Sequence, residues 1–195
     1  MKLGQTPSQT VGPYFAYGLT PEQYLYNFRS AFTPVLVQDN TPGTLIEITG
    51  QVLDGEGNPV NDAMLEISHA DASGKWVSTL EDVQSSGFTG FGRCGTGADV
   101  HNRYRFRTIK PGALNADEAP YVNLIVTMRG ILVHAFTRIY FSDEAEANAR
   151  DAVLNSVPTD RRNTLIARRE DLDGRILYHY TIRMQGSEET VFFDI

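Results

Sequence analysis

The sequence predicts an all-β fold, a β-sandwich with minor helical additions. Three observations predict it. Several segments alternate apolar and polar residues with period two. Each is short. Clusters of Gly, Pro and Asp separate them. No internal repeat, low-complexity tract or linker divides the 195 residues. One domain is therefore expected, with an arm and lead-in segment over residues 1–43 and the sandwich over residues 44–195.

The elements follow in chain order. "TPSQTVGPYFAYG", residues 6–18, alternates in neither strand nor helix period and reads as a stiff extended arm. In "TLIEITGQV", Ile46, Ile48 and Val52 share one face of a half-buried strand, opposite Glu47, Thr49 and Gln51. "DGEGNP" turns, and "AMLEISHA" sets Ala63, Leu65 and Ile67 together. Residues 80–100 are glycine-rich and read as loop, including "TGFGRCGTG". "NRYRFRTI" places Tyr104 and Phe106 opposite three arginines. "YVNLIVTM" and "ILVHAFTRIYF", joined at "RG", are apolar on both faces, as central strands are. "SDEAEANARDAVL" predicts one helix, capped by Ser142 or Asp143. "DRRNTLIARRE" reads as a short helix or a helix-to-strand passage. "RILYHYTIRM" aligns Ile176, Tyr178, Tyr180, Ile182 and Met184.

Bulk properties exclude several roles. A net charge of −7 repels nucleic acid and anionic membranes. No apolar run reaches bilayer length, and "MKLGQTPSQT" lacks the apolar core of a signal peptide. The single cysteine, Cys94, forms no internal disulfide and suits a reducing compartment, so a cytoplasmic location is expected.

Residue types alone point to little chemistry. His69, His101, His134 and His179 are scattered, without zinc-site spacing, and read as surface or core histidines. No nucleophile elbow, P-loop or dinucleotide fingerprint occurs. Cys94 has no paired histidine in view and reads as a passive thiol.

One ordered set of motifs says more: "TPSQTVGPY", "FGRCGTG", "FRTIKPG", "APYVNLIVTMRG", "TRIYFSDEAEANARDAVLNS" and "IRMQGSEETVFFDI". Over about residues 5–195 the chain resembles the intradiol ring-cleaving dioxygenases, most closely the α chains of the two-chain members. The resemblance implies a transthyretin-like β-sandwich, a non-haem ferric iron, O₂ and a catechol carrying a carboxylate. In that family two tyrosines and two histidines hold the iron; phenolates are hard anionic donors suited to Fe³⁺, and imidazoles complete the set. The two histidines form a His-x-His pair on one strand face. Here Tyr121-Val122-Asn123 stands at that pair. Leu114 replaces the tyrosine expected after "KPG", and residues 80–92 contain no tyrosine. The resemblance therefore implies no metal ligand and no catalytic residue on this chain. Its Fe³⁺ belongs to a β partner of the same fold, paired pseudo-symmetrically in a hetero-oligomer.

The resemblance also gives the arm a role. Thr10, Gly12, Pro13 and Tyr14 are expected to line the partner's substrate pocket. Pro7 and Pro13 lower the entropy lost on ordering the arm, Gly12 lets backbone approach a flat ring, and Tyr14 offers an apolar face with a hydroxyl. Arg129 is expected to pair with the substrate carboxylate or raise the positive potential at the pocket mouth. His134 is read as structural. The rival readings are a self-sufficient ferric dioxygenase and a non-enzymatic binding module on the same sandwich.

Overall fold

The computed structural model describes residue 4 and residues 12–194, with backbone alone for residues 13–15. Among the described residues, nine strands form one sheet, eight of them along a single path. They are β1 (Leu45–Leu53), β2 (Met64–Ser68), β3 (Phe91–Gly95), β4 (Arg103–Ile109), β5 (Tyr121–Thr127), β6 (Ala135–Phe141), β7 (Ile166–Leu172), β8 (Arg175–His179) and β9 (Ile182–Arg183). The order is β3-β2-β5-β6-β7-β8-β1-β4, and β9 pairs with β1. Strand β7 joins the two halves. Its first two residues run parallel to β6, and from Arg168 it pairs antiparallel with β8.

The two ends of this path, β3 and β4, nearly meet. Segment 33–37 spans them: Leu36 N–H donates to Arg107 and Arg107 N–H to Pro34, while Thr89 and Arg93 donate to Leu36 and Thr33. Edge strands left open would template pairing with other chains, so this strap satisfies both edges at once. Leu36, within the strap, is fully buried.

The core draws on both halves. Ile46, Ile48, Tyr104 and Phe106 from one meet Leu65, Ile67, Leu124 and Ile139 from the other. Full burial of each such side chain contributes about 1.5–3 kcal/mol. Period-two alternation placed the residues of β1, β2 and β4 correctly, and the two apolar runs read as central strands are β5 and β6. Close backbone approach fixes Gly50, where a Cβ would sit 1.8 Å from the Tyr180 carbonyl oxygen. Tyr104 donates its hydroxyl to that same oxygen.

Local structure departs from the sequence expectations at four places. Helix α1 (Pro13–Leu19) forms inside the segment read as an extended arm. Proline at its first position supplies a preset φ and lacks only an N–H that would be unpaired there anyway. Residues 80–100 are not all loop: α2 (Leu80–Ser86) and β3 lie within them. The glycines of β3 permit strap contact, since a Cβ at Gly92 would fall 2.3 Å from Leu36 Cδ1. The single helix expected from Ser142 is two short ones, α3 (Ala145–Asn148) and α4 (Ala152–Ser156). Asp143 is engaged by Lys110, Arg169 and Tyr178, and Asp151 caps α4 instead. Finally, β6 starts at Ala135, leaving Leu132 and Val133 exposed at 64% and 63%. The expected helix-to-strand passage is present as a 3-10 turn, Arg162–Leu165, running into β7.

Candidate functional site

The outer face of β5 and β6 carries the positions where the resemblance located the family's histidine pair. Tyr121 and Asn123 lie two apart, so they share that face, opposite Tyr140 and Arg138 on β6. The Arg138 guanidinium carbon sits 4.0 Å from the Tyr121 ring centroid. Burial pushes the Tyr121 phenol above its usual pKa, and the Arg138 charge opposes that rise. Tyr140 donates to Asp151 Oδ1 at 3.0 Å, and the Ala119 N–H donates to Asp151 Oδ2 at 3.0 Å. Asp151 is fully buried, and its Oδ1 also accepts from Leu154 N–H. Burial and the Asp151 charge hold the Tyr140 phenol well above its usual range, against a bond from Arg138 that lowers it. Asn123 Oδ1 and Arg138 Nη1 are both buried and without a hydrogen-bond partner among the described residues.

These residues do not fit a ferric ion. Iron(III) takes hard anionic oxygen and imidazole donors. The face offers two protonated phenols, Tyr140 already donating to Asp151, a carboxamide and a fixed cation over the Tyr121 ring. Leu114 packs into the adjacent apolar cluster with Tyr121 and Tyr140. Among the described residues, no three of His, Cys, Asp or Glu gather in a metal-holding group.

The histidines are otherwise engaged or exposed. His69 is fully buried and bonded through both ring nitrogens, to the Ala70 carbonyl oxygen and the Thr108 hydroxyl. Burial, only partly offset by the Ala70 bond, pushes its pKa down to about 4, so it is neutral. His134, read as structural, is exposed in the segment before β6, so no packing role is visible for it. Burial raises the Cys94 thiol, which disfavours the reactive thiolate.

The predicted pocket residues are placed as follows. Thr10 lies outside the described residues. Gly12 is the N-cap of α1 in extended conformation, with open space where a Cβ would be. Pro13 and Tyr14 form the first turn of α1, and their side chains lie outside the described set. Arg129 is exposed in the turn between β5 and β6 and pairs with Asp62. The structure thus gathers Gly12, Pro13 and Tyr14 at one helix start, while Arg129 is held elsewhere by Asp62. Residue-by-residue reading missed Arg138 and Asp151. The signal was present: Arg138 is the lone charge within "AFTRIYF", two residues from Tyr140.

Among the described residues, no helix is long and apolar enough to cross a membrane.

Three comparisons place the chain. Residues 19–186 match the model of a family described as Dioxygenase. The protocatechuate 3,4-dioxygenase alpha chain of Burkholderia cepacia is 56% identical over 194 residues, covering 99% of this chain and 98% of that one. The beta chain from the same organism is 32% identical over 162 residues, covering 76% and 67%. In three dimensions the chain resembles the dioxygenase domain of a carbohydrate-binding fusion from Streptomyces sp. SirexAA-E. The TM-score is 0.63 at 21% identity, covering 82% and 93% of the two chains. With this sheet, these motifs and these relatives, the chain belongs to the intradiol ring-cleaving dioxygenase family.

Proposed function

We propose that the chain serves as the α subunit of a protocatechuate 3,4-dioxygenase and completes an active site whose ferric iron is held by a β chain. The observation that carries this is end-to-end identity of 56% with an alpha chain. A beta chain of the same family at 32% identity is the natural partner. The donor set around Tyr121 and Asn123, unfit for Fe³⁺, supports assigning the metal to that partner.

In this reading the complex adds both atoms of O₂ across the bond between the two hydroxyl-bearing ring carbons of protocatechuate. The product is 3-carboxy-cis,cis-muconate. This chain's own residues bind and shield. Thr10, Gly12, Pro13 and Tyr14 form a wall of the partner's pocket and exclude bulk water, which strengthens charge interactions there. Arg129 exchanges its exposed contact with Asp62 for the substrate carboxylate, or supplies positive potential beside it. The sheet's two halves form a transthyretin-like sandwich, several αβ pairs assemble, and the assembly works in the cytoplasm, as the lone cysteine suits.

Co-expression with a β chain tests this. The assembled protein is expected to take up O₂ with protocatechuate. Tyr14→Ala and Arg129→Ala are expected to raise KM or lower kcat while iron content stays unchanged. Unchanged kinetics in both variants would overturn the pocket assignment, and full activity of the β chain alone would overturn the subunit role.

A further inference from the structure

The outer face of β4, β1, β8 and β7 is rich in arginine, on a chain whose net charge is −7. Along β4, Arg103, Arg105 and Arg107 alternate with buried Tyr104, Phe106 and Thr108, so all three point outward. Thr49 lies at the centre of this face, paired with Arg105 on one side and His179 on the other. Its short side chain among long neighbours leaves a hollow of about 380 Å³, lined by Gln51, Arg103, Arg105, Glu170, Arg175 and His179.

The cations around this hollow are weakly neutralised. Glu47 Oε2 stands 3.5 Å from Arg105 Nη1, and Glu47 Oε1 stands 3.8 Å from Arg175 Nη1. Neither pair is within good hydrogen-bond range, and Glu47 Oε2 accepts no bond. Glu170 approaches His179 Nε2 at 2.6 Å without the alignment of a hydrogen bond, and Arg168 at 3.7 Å. Arg103 has no ion pair among the described residues, although its charge helps lower the pKa of nearby Asp99. Three guanidinium groups thus face two carboxylates, with most of their donors unused.

We propose that this hollow binds a small polycarboxylate. Guanidinium forks match carboxylates two bonds at a time. The spread of charge selects the class. Arg103 and Arg105 lie two residues apart on one strand, about 7 Å. Arg175 lies two strands away and is offset along the sheet, but its Nη1 and that of Arg105 approach the two oxygens of Glu47, so these two groups stand within about 10 Å of each other. Several separated carboxylates meet that spread, whereas one phosphate concentrates its charge at a point. Cleavage of a carboxylated catechol yields a tricarboxylate, so the product of the proposed reaction has the right chemistry. Naming that product as occupant rests on the proposed function; polycarboxylate binding does not.

The test is calorimetric titration of the full chain, in complex with its partner, in dilute Tris chloride. Citrate serves as the tricarboxylate, with benzoate and inorganic phosphate as contrasts. Citrate is expected to bind saturably and more tightly than either contrast. The Arg103→Gln/Arg175→Gln variant, with both changes at exposed side chains, is expected to lose at least tenfold in citrate affinity while its thermal unfolding is unchanged. Arg175→Lys, which keeps the charge without the fork, should fall between. Absence of saturable citrate binding, citrate affinity retained in the double variant, or tighter binding of phosphate would each overturn the proposal. So would failure of the double variant to assemble with the partner combined with no citrate binding to the parent, because the face would then be a protein interface. Dioxygenase activity without citrate binding would overturn this site alone and leave the subunit role intact.

Discussion

Arg138 holds its guanidinium carbon 4.0 Å from the centroid of the Tyr121 ring, across the β5–β6 pair. A fixed cation over a phenol ring keeps a second cation away and favours the phenol's ionised form. Replacing Arg138 with Met should therefore raise the Tyr121 pKa further, because the Arg138 charge is what opposes the effect of burial there. Ultraviolet titration of tyrosine ionisation, with Tyr121→Phe to assign the signal, measures it. Loss of the cation–ring contact should also cost about 0.5–2 kcal/mol in urea unfolding.

His69 should make the fold acid-sensitive well above the carboxylate range. It is buried and neutral, with a pKa lowered from 6.5 to about 4. The unfolded chain takes up its proton near pH 6.5 while the folded chain does not, so stability falls as pH drops through that window. Over some 2.5 pH units the loss is roughly 3 kcal/mol, and above pH 7 this group contributes no slope. Urea midpoints between pH 7.5 and 4.5 measure the slope, and His69→Gln should flatten it.

Asp143 ties three elements together. Burial raises its pKa, but bonds from Lys110, Arg169 and Tyr178 outweigh that and bring it down to about 2. Its contribution is present above about pH 3.8 and lost as pH falls towards 2. Asp143→Ala should cost about 1–2 kcal/mol at pH 7 after allowance for partial solvent screening. The loss should shrink at pH 2.5, read from thermal unfolding at both pH values.

Asp151 does more than cap α4. It accepts from Leu154 N–H, Ala119 N–H and the Tyr140 hydroxyl, all in a fully buried setting. Asp151→Ala strands those donors and should destabilise the protein by roughly 3 kcal/mol or more. Asp151→Asn retains one acceptor and should lose less. Chemical denaturation of the two variants side by side measures the difference.

Period-two alternation was enough to find β1, β2, β4 and β8, because each has one face on the core and the other towards solvent or polar neighbours, while β5 was found as an apolar run. It failed on β3 because Gly92 and Gly95 leave room for Leu36 and Gln23, a requirement set by residues over fifty positions away. It failed on α2 because that helix buries none of its residues and so shows no apolar stripe. Its capping box, Thr79 with Asp82, was the legible signal. The candidate site was legible only in part. Leu114, Tyr121 and Asn123 stand out against the family's ligand pattern. Arg138 stands out as the lone charge of its strand, but its partner Tyr121 is set only once β6 lies beside β5, and Asp151 emerges only once α4 is folded beneath.

The central claim is that this polypeptide cannot itself hold the ferric centre its family uses. Metal analysis of the chain purified alone from iron-supplemented cells, with its visible absorption spectrum and an O₂-uptake assay on protocatechuate, tests it most directly. A colourless chain with substoichiometric iron and no O₂ uptake is the expected result. One ferric ion per chain, with a tyrosinate charge-transfer band and ring opening in the absence of any β chain, would contradict it.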